Sequence, residues 1–201
     1  MTRTDVIAHE PLLDDRHYHH TLSEFWTETH ALLVFLRHFG STFAYDQADV
    51  LNQASAELQA ANIRPVMIGA GTPRAAAYFR RVSNTQVPVL ADPTLTIYRR
   101  LGLRQVSLAS TTPRVLRRWL SSNHTRISLA DKDHGRQLGG SFLIDTTGTV
   151  LAERRSTRPS EVADIAAIHR YLAISRTRSE SAEHPAVSDR RVPRASGQRV
   201  V

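Results

Sequence analysis

A chain of 201 residues, 41% hydrophobic and 22% charged, is long enough to bury one sizeable core and still carry polar ends. It has no cysteine, which excludes a disulfide framework, a zinc–thiolate centre and a thiolate nucleophile. The net charge of +7 is unevenly spread. Residues 175–201 hold six Arg against Glu180, Glu183 and Asp189, so the rest of the chain is only mildly basic, weak support for nucleic-acid binding.

Residues 1–20 are polar, with acidic and His-rich patches, and read as an irregular lead-in. Met1–Glu10 has no apolar signal core and no apolar run approaches the ~20 residues that span a bilayer, so a cytoplasmic protein is expected. Thr21 followed by Glu24 is a capping-box pattern for a short helix that turns Leu22, Phe25 and Trp26 to the core. Ala31–Phe39 is a nearly unbroken apolar run, the mark of a strand buried on both faces. From Ser41 the spacing becomes helical through Phe43, Val50, Leu51, Ala54 and Leu58, ending near Asn62. Arg64–Ala70 is a second strand, and Thr72-Pro73 opens a helix to about Arg81. Val87–Leu90 is a third strand, and Asp92-Pro93 opens a helix that Gly102 closes.

This β-α-β-α-β-α order builds a mostly parallel sheet with helices on both faces. Residues 103–138 interrupt it with a basic insert holding one short helix, Pro113–Leu120. Two apolar segments around Asp145-Thr-Thr-Gly148 then predict a β-hairpin. A last helix, Ser160–Ile174, has Ser160 as its cap and Val162, Ile165, Ala166, Ile168, His169 and Leu172 along one side. After Ser175 the apolar spacing disappears and the basic tail reads as disordered.

Parallel β-α units, a hairpin and a closing helix are the thioredoxin-like layout: a central mixed sheet between two helical layers. Four stretches resemble the peroxiredoxin-like proteins of the alkyl hydroperoxide reductase/thiol-specific antioxidant (AhpC/TSA) superfamily. They are Leu33–Gly40, before that family's first redox Cys; Val87–Pro93, a short strand and helix start; Ile97–Leu103, the end of that helix; and Gly139–Asp145 with Gly148, its Gly-Gly strand and hairpin. In order, they place the domain at roughly residues 21–174. The resemblance implies a thiol redox protein that reduces peroxides or disulfides through a thiolate at a helix N-terminus.

On that resemblance the two redox positions map to Ser41 and Ala44. A serine hydroxyl cannot cycle through sulfenic acid or disulfide, and alanine offers no reactive atom. The expectation is therefore a thiol-less family member kept as a binding or interaction module. The alternative is an active oxidoreductase whose cysteines have been substituted, or one that works without thiols. No catalytic residue is assigned.

As a serine nucleophile, Ser41 would need a base, an orienting group and an oxyanion hole, and there is no G-x-S-x-G elbow around it. The plainer role is a hydroxyl cap on the helix. Arg37 and His38 fall at the carboxyl end of the first strand, where open α/β sheets gather ligands. With Gly40 and Ser41 they form a candidate anion or ligand site, set against an Arg37 simply paired with Asp46 or Asp92. His17-Tyr-His-His20 with Asp14-Asp15, and Asp131–His134, lack an ordered frame for a metal. No metal or cofactor is expected. The insert helix, with Trp119 among Arg114, Arg117 and Arg118, either covers the sheet edge or meets a partner or a membrane surface. The partner is an unknown protein or small molecule, homo-oligomers are left open, and no specific nucleic acid is expected.

Overall fold

The computed structural model describes residues 4–106, 134–158, 161, 170 and 173. Its elements run α1 (Asp5–Ala8), β1 (Pro11–Asp14), β2 (His19–Thr21), a 3₁₀ turn (Leu22–Phe25), β3 (His30–Phe35), α2 (Thr42–Gln53) and α3 (Ser55–Ala60). They continue with β4 (Ile63–Ala70), α4 (Pro73–Ser83), β5 (Val89–Asp92), α5 (Thr96–Arg100), β6 (Gly140–Ile144) and β7 (Val150–Arg155). The strands form one mixed sheet in the order β2-β1-β5-β4-β3-β6-β7. The β3–β4 and β4–β5 pairs are parallel and the outer pairs antiparallel. This is the α/β, thioredoxin-like architecture with a mixed sheet expected from the sequence, although the sheet is not mostly parallel as the β-α alternation alone implied.

The apolar run of β3 is explained by its place in the middle of the sheet. Leu32 and Val34 face a core with Ala44, Ala48 and Leu51 of α2 and with Ala76 and Phe79 of α4. Ala31, Leu33 and Phe35 face the opposite core, with Phe25, Trp26 and Tyr98. Alternate side chains of one strand thus enter two cores, and neither face tolerates a polar residue.

Several local signals give the structure they imply. Glu24 accepts from the Thr21 backbone N–H at 2.8 Å, the carboxylate half of the capping box, and Leu22, Phe25 and Trp26 are buried. The Thr72 hydroxyl accepts from Ala75 N–H at 3.3 Å, with Pro73 in the first turn of α4. α5 closes at Gly102 (φ +66°), where Leu103 N–H bonds Tyr98 O and Gly102 N–H bonds Arg99 O, a Schellman pair. In the β6–β7 hairpin the Asp145 carboxylate accepts from the N–H groups of Thr147 (2.9 Å) and Thr149 (2.8 Å).

Other expectations are corrected. The lead-in over residues 1–20 is not irregular: α1 docks Ile7 in the core, and β1 pairs with both β2 and β5, widening the sheet. Polar composition concealed this, because the four-residue β1, second from the edge, has only one fully buried side chain, Leu12. β3 ends at Phe35 rather than Phe39, since Leu36–Phe39 leave the sheet to form the junction with α2. The helix after Ser41 breaks at Ala54 into α2 and α3. β5 begins at Val89, and α5 begins at Thr96 rather than at Pro93. Arg170 and Ala173 are helical. The insert helix Pro113–Leu120, most of the closing helix and the tail from residue 175 lie outside the described residues.

Candidate functional site

The junction between β3 and α2 is held by contacts from three directions. Beneath it, Tyr98 is fully buried, and its hydroxyl proton is shared between Leu36 O at 2.6 Å and Ile68 O at 2.9 Å. Burial, with the Asp92 charge nearby, pushes the Tyr98 phenol well above its usual pKa, so it stays a neutral donor. Above it, the Phe39 ring lies against β4 so closely that a Cβ on Gly69 would come within 2.3 Å of it. Only glycine admits that approach.

From the side comes Arg37. Its guanidinium donates to Gly135 O at 2.9 Å and to Gln137 O at 3.3 Å, both on the segment returning from the insert. Gln137 is 1% exposed and aims its side-chain amide at the carbonyls of Leu103, Arg104 and Leu138, tying the two ends of the insert together. Burial pulls the Arg37 pKa below its ordinary value, but a guanidinium keeps its charge there. The expected pairing with Asp46 or Asp92 is absent from this arrangement. Asp46 sits on the exposed face of α2, and Asp92 is engaged by Thr94 and by the N–H groups of Thr96 and Ile97.

His38, Phe39, Gly40 and Ser41 form a turn closed by Ser41 N–H to His38 O at 3.0 Å. Ser41 is the N-cap of α2 with extended backbone, yet its hydroxyl makes no capping hydrogen bond, which corrects the expected role. Instead Ser41 O accepts from Ala44 N–H at 2.9 Å, so the backbone closes the first turn. His38 and Ser41 are buried at 5% and 6% exposure, and Ala44 is in the core at 2%.

A cleft opens beside Ala44, lined also by Phe35, Arg37, Gln47, Gly139 and Arg154. The structure therefore divides the predicted set: Arg37 and Ala44 line the cleft, whereas His38, Gly40 and Ser41 do not. A Cβ on Gly139 would fall 2.1 Å from Phe35 O, so that glycine lets β6 lie against the end of β3. Glu161 shares the cleft, with its carboxylate on Thr157 N–H (2.9 Å) and hydroxyl (2.8 Å). Those bonds, the backbone one foremost, with Arg154 and Arg158 nearby, hold its pKa below the usual carboxylate range. Sequence did not point to Gln47 or Arg154, and it suggested Glu161 only as an acidic residue at the start of the closing helix. Only the Gly139-Gly140 pair pointed to this wall.

The His-rich stretch takes another role. His20 bridges two carboxylates, Nδ1 to Glu24 at 3.0 Å and Nε2 to Asp14 at 3.5 Å, tying β2 to β1 and the 3₁₀ turn. Among the described residues no group of three or more His, Asp or Glu is placed to hold a metal ion, and no helix is long and apolar enough to cross a membrane.

Comparison with known proteins agrees with this architecture. The peroxidoxin BcpB of Mycobacterium tuberculosis superposes with a TM-score of 0.64 at 19% identity, covering 88% of this chain and 97% of that one. The bacterioferritin comigratory protein of Xanthomonas campestris, a protein with alkyl peroxide reduction activity, gives 0.63 at 13% identity, covering 88% and 96%. A thiol peroxidase from Chromobacterium violaceum gives 0.60 at 16% identity, covering 88% of each. At such identities these likenesses establish the fold. No curated protein sequence matches the chain. The family described as AhpC/TSA antioxidant enzyme matches residues 50–158, which excludes positions 41 and 44 and so owes nothing to them. By that match over more than half its length, the chain belongs to the AhpC/TSA antioxidant enzyme family.

Proposed function

We propose that this protein is a thiol-less member of its redox family that works as a binding module, without thiol peroxidase or disulfide reductase activity. The observation that carries this reading is the absence of any cysteine from the chain, with Ser41 and Ala44 standing where the resemblance implies the redox pair. Reduction of an O–O or S–S bond by this family's route needs a thiolate to attack and a sulfur to carry the oxidised state. Ser41 supplies neither, and Ala44 presents a methyl group to the cleft.

The ligand that suits the cleft is a small carboxylate or comparable anion on Arg37. The guanidinium is held by two carbonyls and largely withdrawn from water, so its charge is weakly screened. Glu161 on the same cleft repels any second negative group, which favours a singly charged end over a polyphosphate.

Two measurements test the reading. A peroxidase and disulfide-reductase assay on the unaltered chain is expected to give no turnover above background; turnover would overturn the proposal. Titration with acetate, followed through the backbone amides of residues 37–47 by NMR, is expected to give saturable shifts that Arg37→Gln abolishes, with the doubly charged sulfate binding more weakly. Shifts that survive Arg37→Gln would remove Arg37 from the site.

A further inference from the structure

The helical layer over one face of the sheet is divided by charge. Residues 42–60, spanning α2 and α3, carry Asp46, Asp49 and Glu57 and no Lys or Arg. Neighbouring α4 carries Arg74, Arg80 and Arg81 and no Asp or Glu. Arg80 is bound to Asp15 at 2.9 Å, across the edge of the sheet. Asp46, Asp49, Arg74 and Arg81 all point to solvent.

An apolar ridge separates the two halves. Tyr78 and Val82, one turn apart on α4, are 58% and 52% exposed, among the few large hydrophobic side chains left in water among the described residues. Tyr45 of α2 joins them: its ring lies 5.1 Å from Phe79, and its phenol is close enough to Tyr78 to feel it. The Arg81 guanidinium covers one face of Tyr78, 5.5 Å from the ring centroid. The layer thus presents an acidic helix, an aromatic ridge and a basic helix side by side.

Such a surface is complementary to a copy of itself. A two-fold axis along the groove between α2 and α4 sets each acidic α2 over the partner's basic α4 and brings both Tyr78–Val82 ridges to the centre. We propose that the α2–α4 face is a homodimer interface, with a second copy of this chain as its occupant. Other occupants match only half of it. An acidic peptide or a nucleic-acid backbone would suit Arg74 and Arg81 but meet Asp46 and Asp49 with like charge. A basic partner meets the converse repulsion. The charge pairs lie at the rim, so the dimer weakens as salt screens them.

The test is a charge exchange followed by sedimentation velocity at low ionic strength across the micromolar range. The unaltered chain is expected to sediment as a dimer that dissociates on adding salt. Asp46→Arg/Asp49→Arg and Arg74→Glu/Arg81→Glu are each expected to lose the dimer, because every cross-interface pair becomes repulsive. An equimolar mixture of the two variants is expected to restore it as a heterodimer. The fourfold variant, with both halves exchanged in one chain, is expected to regain the homodimer, which separates charge from misfolding. A monomeric unaltered chain would overturn the proposal. So would reversal variants that still dimerise, or a mixture that stays monomeric.

Discussion

Two kinds of strand-to-helix junction stand side by side in this sheet. After β4 and β5 a side chain takes up the amides that open the next helix. Thr72 accepts from Ala75 N–H, and buried Asp92 accepts from Thr96 N–H (3.2 Å) and Ile97 N–H (2.9 Å). After β3, Ser41 occupies the same topological place and makes no capping bond. That junction is instead fixed from outside, by Tyr98 below, Phe39 against Gly69 above, and Arg37 on the base of the insert. At such a position another small residue can stand without loss of a capping bond. It is also where the resemblance of Leu33–Gly40 to the family leads one to expect a redox residue, and this chain has Ser41 there.

The contrast can be broken by substitution. The largest effect is expected for Asp92→Ala, which strips a buried carboxylate from two backbone amides and the Thr94 hydroxyl; unfolding by urea should show a loss of about 2–3 kcal/mol. A loss below about 1 kcal/mol would mean that Asp92 is not the anchor of its junction. Thr72→Ala is expected to cost about 1 kcal/mol by the same measurement.

A smaller effect concerns pH. At Asp145 burial raises the carboxyl pKa, but bonds from the Thr147 side chain and from the Thr149 and Thr147 amides outweigh it and leave the pKa below 3.8. A group whose folded pKa is depressed stabilises the fold fully above its unfolded pKa and loses that contribution as pH falls through the lower folded value. Circular dichroism should therefore show stability falling below about pH 4, with a shallower fall in Asp145→Ala. An unchanged acid limb in that variant would exclude Asp145 as a source. Smallest of all is Ser41→Ala, expected to stay within about 0.5 kcal/mol of the unaltered chain. A cost equal to that of Thr72→Ala would erase the difference between the junctions.

Legibility in the sequence follows how far each interaction reaches along the chain. Thr21 with Glu24, Thr72 with Pro73, Gly102, and Asp145 with Thr147 and Thr149 act within five residues, and each was readable. The late start of α5 was not. Asp92 caps it from four and five residues upstream, across Pro93, rather than from the adjacent position that the Asp-Pro pattern suggested. The lead-in strands were hidden because β1 gains its order from pairing with β5, about eighty residues downstream.

The same division holds for the site. The sequence by itself determined the buried central strand, the alternation of strands and helices and the absence of any thiol, since burial pattern and the absence of an atom type are properties of residues. Only the tertiary structure decided that Arg37 and Ala44 share a cleft while His38 and Ser41 sit apart from it. It alone placed Gln137, one hundred residues on, where its carbonyl holds Arg37. It also set an acidic helix beside a basic one, because parallel strands bring successive crossover helices together however their charges are written.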